Sequence, residues 1–180
     1  MTGPFTIRTS RLELIAGNHE MAEAEMTGIQ RLSRLIDAEF AHGWPPPEND
    51  ENTMEWFFTR IYDNPDARGW LMWYFILDAN NKRTVIGNGG FMGIPDRNGV
   101  VKCGYSILEP VQNNGYATEA LAGLIKWAFA SGKVNTIIAH TLEGHQESIN
   151  VLKKNQFNFV EMGRQKGTMK YELPGNRKNF

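Results

Sequence analysis

A strand-like run, Val100 to Leu108, opens through Gln112-Asn113-Asn114-Gly115-Tyr116-Ala117-Thr118 into a strongly helical run, Thr118 to Ser131. This junction restricts the fold more than any composition figure does. A glycine-containing turn between the end of a strand and the first turn of a helix gathers main-chain N–H groups that the helix cannot satisfy, and the helix dipole adds positive potential there. Such a turn is a ready anion site. Read in that context, the spacing Gln-x-x-Gly-x-Ala points to a pyrophosphate, bound by the N–H groups from Asn113 through Thr118. The stretch is not a P-loop, which ends in Gly-Lys-Ser/Thr, and it lacks the Gly-x-Gly-x-x-Gly dinucleotide pattern.

The rest of the chain supplies a mixed order of elements. Ile7, Leu12 and Leu14 predict a first strand near residues 6–15. Asn18 is a helix cap followed by the acidic Glu20 and Glu23, and Leu32, Leu35, Ile36 and Phe40 then share one helical face. Trp44-Pro45-Pro46-Pro47 must be extended and stiff, and Asn49 or Asp50 is placed to cap a helix that buries Met54, Phe57, Phe58, Ile61 and Tyr62. Trp70–Leu77 reads as a buried strand and Thr84–Phe91 as its antiparallel partner, with Gly87, Gly89 and Gly90 marking a bulge or a close backbone approach. The helix after the glycine turn buries Ala117, Leu121, Leu124, Ile125, Ala128 and Phe129, turns Glu119 and Lys126 outward and stops at Gly132. A strand over Thr136–Thr141, a helix over Gln146–Lys154, and strands over Phe157–Met162 and Thr168–Leu173 follow.

These elements make an α+β chain: a meander of three strands, then β-α-β-α-β-β. The crossover helix after Leu108 implies one locally parallel pair in a largely antiparallel sheet with flanking helices. Where two parallel strands splay, their carboxyl ends leave a crevice of the kind that takes ligands. One domain over residues 1–173 is expected, with a polar tail at 174–180.

Composition removes several function classes. Nineteen basic residues against 20 acidic ones leave a net charge of −1, which does not suggest a long polyanion as the main partner and leaves room only for a local basic patch, so no nucleic-acid partner is expected. A single cysteine, Cys103, forms no intrachain disulfide and reads as a small buried residue in a strand. Met1–Arg11 lacks the apolar core of a signal peptide, and no apolar run is long enough to span a bilayer, so a cytoplasmic protein without membrane partners is expected. No His/Cys spacing suggests a metal site. Trp70, Trp73, Tyr74 and Phe75 read as core strand rather than as a base-stacking platform.

Three blocks resemble the GNAT superfamily of N-acetyltransferases, in particular the branch of ribosomal-protein N-terminal acetyltransferases. They are Arg8-Thr9-Ser10-Arg11-Leu12-Glu13-Leu14; Gly104-Tyr105-Ser106-Ile107-Leu108 followed by Gln112-x-x-Gly115-x-Ala117-Thr118-Glu119-Ala120; and Ser148-x-x-Val151-Leu152-Lys153-Lys154-x-x-Phe157. The second block is the specific one. The resemblance implies a GNAT-like fold and acetyl-CoA as co-substrate, with the backbone near Ile107 and Leu108 pairing with the pantetheine amides. Gln112, Asn113, Asn114, Gly115, Tyr116, Ala117 and Thr118 would bind the diphosphate.

Three departures from the family pattern stand out. His145 replaces an asparagine that helps position the pantetheine arm, and imidazole keeps a donor and an acceptor for that task. Gln156 replaces a glycine after the helix, at a cost of about 1–2 kcal/mol if the backbone there is left-handed. Lys102 stands where this branch often carries an acid.

By resemblance, the chemistry is direct transfer of an acetyl group to a primary amine: a protein N-terminus, a polyamine or amino-sugar, or a small metabolite. Ser148 matches the position that protonates the departing thiolate, and the position where many relatives carry a tyrosine is Leu152 here. The base is open between Glu109, just past the strand, and His140, at the end of the neighbouring strand, or a water chain to bulk. His42, Trp44 and the prolines belong to the region that walls the acceptor side. The competing class is a non-catalytic acyl-CoA-binding sensor or interaction module. The oligomeric state is open between monomer and homodimer.

Overall fold

The computed structural model describes residues 5–47, 49 and 51–175. The amino-terminal segment is a hairpin, not the single strand expected from its apolar pattern: β1 (Thr6–Arg8) turns back into β2 (Leu12–Ala16). The turn contains no glycine or proline. Thr9 makes it: its N–H donates to the Leu12 carbonyl at 2.9 Å, and its hydroxyl oxygen accepts from the Leu12 N–H at 3.0 Å.

Helix α1 (His19–Thr27) begins where expected, with the Asn18 side chain accepting from the Met21 N–H at 2.8 Å. It breaks at Gly28, and α2 (Ile29–Ile36) follows at once. Leu32 and Ile36 are buried as predicted. Phe40 is not on their helix, because the chain leaves helical geometry at Asp37 (φ 54°) and Glu39–Phe40 forms β3. In α3 (Glu51–Asp63), Met54, Phe57 and Ile61 are buried, but Tyr62 is 61% exposed, since it lies a further 100° round the helix from Ile61. Of the two cap candidates, Asn49 turns its amide to the Pro47 carbonyl at 3.3 Å, and Asp50 lies outside the described residues.

Strands β4 (Met72–Ala79) and β5 (Lys82–Phe91) form a hairpin through Asn80 and Asn81, both left-handed at φ 54° and 60°, as a two-residue turn between twisted strands requires. The bulge expected near the glycines falls between Phe75 and Ile76, opposite Gly87. Glycine is required there by its neighbours: a Cβ on Gly87 would lie 2.4 Å from the Ser106 carbonyl oxygen.

The second half follows the expected order: β6 (Val100–Ile107), α4 (Tyr116–Ala130), β7 (Thr136–Leu142), α5 (Gln146–Lys154), β8 (Asn158–Met162) and β9 (Thr168–Pro174). Helix α4 starts two residues before the predicted position. Strand β9 takes Pro174 from the expected tail, and residues 176–180 lie outside the described set.

The sheet order is β1-β2-β4-β5-β6-β7-β9-β8, with two-residue β3 running parallel to β5. All other pairings are antiparallel except β6 with β7, so the sheet is largely antiparallel with a single long parallel contact. Helices α4 and α5 cover one face through Leu121, Leu124, Trp127 and Leu152. Helices α1 to α3 cover the other through Leu32, Ile36, Phe57 and Ile61. The aromatic strand segment is core on both faces: Trp73, Tyr74 and Phe75 are fully buried. No helix among the described residues is long and apolar enough to cross a membrane.

Candidate active site

The parallel ladder between β6 and β7 joins Val100–Cys103 to Thr136–Ala139 and goes no further. Beyond it, Gly104–Ile107 and His140–Leu142 diverge, and a cleft of about 1150 Å³ opens between them. The other edge of β6 stays paired to β5, where Met92 N–H donates to Lys102 and Leu108 N–H to Ile86, both at 2.9 Å. Antiparallel bonding alternates along a strand, so the even-numbered residues of β6 serve β5. Tyr105 and Ile107 therefore turn their main-chain groups toward the gap. The Ile107 carbonyl is taken by the Gln112 side-chain amide at 2.8 Å, which leaves its N–H directed into the cleft. Leu108, expected beside Ile107, commits its N–H to the far side and lies outside the cleft wall.

After the 3₁₀ turn Glu109–Val111, Asn113 (φ 62°) and Gly115 (φ 80°) are both left-handed, so the chain coils tightly before α4. The first helical bond runs from Glu119 N–H to the Gly115 carbonyl at 3.0 Å. The N–H groups of Tyr116, Ala117 and Thr118 thus have no acceptor within the helix and sit at its positive end. All three residues line the cleft, with Gln112, Asn113 and Gly115. Asn114 does not. Its side chain bonds back to the Val111 and Gln112 carbonyls at 3.1 and 3.0 Å, and its own carbonyl accepts from Arg11 Nη1 at 2.9 Å. Asn155, at the end of α5, donates to the Thr118 carbonyl at 3.2 Å and ties the two helices together beside the turn.

Glu119 does not face solvent as the helical pattern predicts. Its carboxylate accepts from Thr9 Oγ1 (2.6 Å), Arg11 N–H (2.7 Å) and Arg11 Nε (2.7 Å), so the β1–β2 turn is fastened to the first turn of α4. Burial pushes the Glu119 carboxyl up, but these bonds and the Arg11 charge outweigh it and hold the group below the ordinary carboxylate range. Arg11 and Glu119 are the residues that sequence reasoning missed. Their partnership spans 108 positions, and no local pattern announces it.

The predicted chemical groups lie around the same cleft. Ser148 stands in the first turn of α5 and His145 at its N-cap; His140 is on the splayed end of β7, and Glu109 opens the 3₁₀ turn after β6. Burial, then the charges of Lys102 and Lys170, lower the pKa of His140 below the ordinary histidine value. Cys103 is buried, and burial pushes its thiol up to about 12, which suits a packing residue and not a nucleophile. Trp44 does not wall the cleft. It packs on Phe40 and Tyr74 and donates its indole N–H to Glu25 at 2.9 Å, while Pro47 reaches the cleft and accepts from the Ser106 hydroxyl at 2.7 Å.

A splayed sheet with an amide-lined helix start at one end of the cleft and titratable groups along its walls defines an acyltransferase. Residues 20–158 match the family model described as acetyltransferase (GNAT) domain, and the chain belongs to that family. It is 25% identical over 151 residues to YjdG of Bacillus subtilis (strain 168), named as an uncharacterized N-acetyltransferase, covering 84% of this chain and 88% of that one. The fold is shared with Mycobacterium smegmatis RimJ in complex with a CoA-disulfide (TM-score 0.69, 15% identity, 99% of this chain and 91% of that one). It is shared too with the ribosomal-protein-S5-alanine acetyltransferase of Vibrio fischeri (TM-score 0.66, 14% identity, 97% and 98%).

Proposed function

We propose that this protein transfers the acetyl group of acetyl-CoA to a primary amine, on a protein N-terminus or a small molecule, by direct attack on the thioester. One observation carries the reading: the amide turn at Gly115 and the stretch of β6 beyond its ladder with β7 line one continuous cleft. The diphosphate of the donor is held by the N–H groups of Tyr116, Ala117 and Thr118. The pantetheine arm lies along Tyr105 and Ile107 as an added strand would. The thioester oxygen meets the Ile107 N–H, which stabilises the developing oxyanion.

The amine enters from the side of Pro47 and His140. His140 is preferred to Glu109 as base, because partial burial and the charges of Lys102 and Lys170 lower its pKa and so favour the neutral imidazole that accepts the amine proton. Attack forms the C–N bond and breaks the C–S bond, and Ser148 gives its hydroxyl proton to the departing thiolate. Holding both reactants in one cleft supplies proximity.

The test measures thiol release from acetyl-CoA with a panel of amines, and acetyl-CoA affinity by calorimetry, on the wild type and on Gly115→Pro. Proline has no N–H and cannot adopt φ 80°. Release with at least one amine, together with loss of binding in a folded Gly115→Pro variant, supports the reading. Unchanged affinity in that variant removes the diphosphate assignment.

A further inference from the structure

The hydroxyl of Tyr105, on β6, crosses the cleft floor to α5. It lies 3.2 Å from the Ser148 carbonyl oxygen and 3.2 Å from Ser148 Oγ. Both residues line the cleft, on opposite walls. The two distances are equal, so the phenolic hydrogen can turn from the carbonyl to the hydroxyl without any movement of the backbone.

The geometry points to a two-residue proton relay in which Tyr105, through Ser148, supplies the proton that the leaving thiolate takes up. This rests on the reaction proposed above. A serine hydroxyl alone is a poor source, because an alcohol is far less acidic than a thiol and would be left as an alkoxide. A phenol ionises near pH 10, much closer to a thiol at about 8.5, so a tyrosine behind the serine removes that mismatch. The step balances. The amine nitrogen bonds the acyl carbon, the C–S electron pair goes to sulfur, and sulfur takes the Ser148 hydroxyl proton. Ser148 Oγ takes the Tyr105 phenolic proton, and the tyrosinate is reprotonated from solvent. The proton lost by the amine leaves through the base, and the products are an amide and a free thiol. Tyr105 acts through Ser148, as a relay and positioning residue.

The experiment uses the full chain with acetyl-CoA and an amine that the wild type accepts. It reads single-turnover rates from pH 6 to 10 for the wild type, Tyr105→Phe, Ser148→Ala and the double variant, with acetyl-CoA affinity by calorimetry. Tyr105→Phe is expected to slow the chemical step by about tenfold or more while affinity stays within about twofold. The double variant should be no slower than the slower single one, because the two groups act in series. Lys102, Lys154 and Tyr116 line the same cleft, so an alkaline limb alone does not single out Tyr105. Fluorotyrosine at position 105 does, since its more acidic phenol must move that limb to lower pH.

A Tyr105→Phe rate equal to wild type, a parallel loss of rate and affinity, or a limb indifferent to fluorotyrosine overturns the relay. If the wild type releases no thiol with any amine, the proposed reaction itself fails and the relay fails with it. If the wild type turns over and Tyr105→Phe is unaffected, the relay alone is wrong.

Discussion

Arg11 Nε lies 2.7 Å from Glu119 Oε2, and the same guanidinium hands Nη1 to the Asn114 carbonyl at 2.9 Å. The carbonyl and the next N–H of a trans peptide point in opposite directions. By holding the Asn114 oxygen, Arg11 fixes the plane of the peptide that carries the Gly115 N–H. Its guanidinium also stacks on the Tyr116 ring at 4.6 Å, and Nη2 lies 3.4 Å from where a Gly115 Cβ would stand. Glu119 fixes Arg11, and Arg11 fixes the turn.

Glu119→Gln is therefore expected to weaken acetyl-CoA binding by about tenfold, or about 1.4 kcal/mol, although the residue does not line the cleft. Calorimetry checks this. Affinity equal to wild type would show that the turn holds its shape without the ion pair.

Turnover should depend on the Lys102 charge through His140. Lys102 helps to lower the His140 pKa, so the neutral base persists to lower pH than for an ordinary histidine. Lys102→Ala should raise that pKa and move the acidic limb of kcat/KM to higher pH, and His140→Gln should abolish the limb and cost about a hundredfold in rate. A limb that does not move in either variant assigns the base elsewhere.

Glu25 sets a pH dependence of stability. Burial raises its carboxyl from 4.5 to about 7, only partly offset by the hydrogen bonds from Tyr74 and Trp44. A carboxyl with a raised native pKa binds its proton more tightly when folded, so the contribution of Glu25 to stability is fully present below 4.5 and is lost as pH rises to about 7. The shift corresponds to a loss on the order of 3 kcal/mol across that window. Glu25→Gln, which mimics the protonated acid, should flatten this slope in denaturant titrations at pH 4.5 to 7.5. A slope that survives in the variant belongs to other groups.

Gln156 closes α5 in the left-handed conformation at φ 65°, its N–H on the Lys153 carbonyl and the Phe157 N–H on that of Leu152, both at 3.0 Å. This is a Schellman ending built on a residue with a Cβ. Gln156→Gly should stabilise the fold by about 1 kcal/mol and raise Tm by a few degrees, read by calorimetry. An unchanged or lower Tm would mean that the unfolded-state entropy of glycine cancels the gain.

The order of the carboxyl-terminal elements, the left-handed cost at Gln156, the Asn18 cap and the amide turn were legible in the sequence. Each is a local matter of period, cap or φ, decided within a few residues. The same local reading ran the β1–β2 hairpin together as one strand and carried α2 through Phe40, because Thr9 and Asp37 bend the chain without a glycine or proline to mark it. It turned Glu119 to solvent, because a helical pattern sees only the helix.

Sequence alone determined that residues 112–118 start a helix with unsatisfied N–H groups, and that cysteine and metal chemistry have no motif here. Only the tertiary structure decided where those N–H groups open, where β6 parts from β7, and that Arg11 and Tyr105 reach the turn and Ser148. The reason is physical: hydrogen bonds within a turn are set by neighbours in the chain. The divergence of β6 from β7, and side-chain contacts spanning 43 and 108 positions, arise only when two faces of a sheet pack at once.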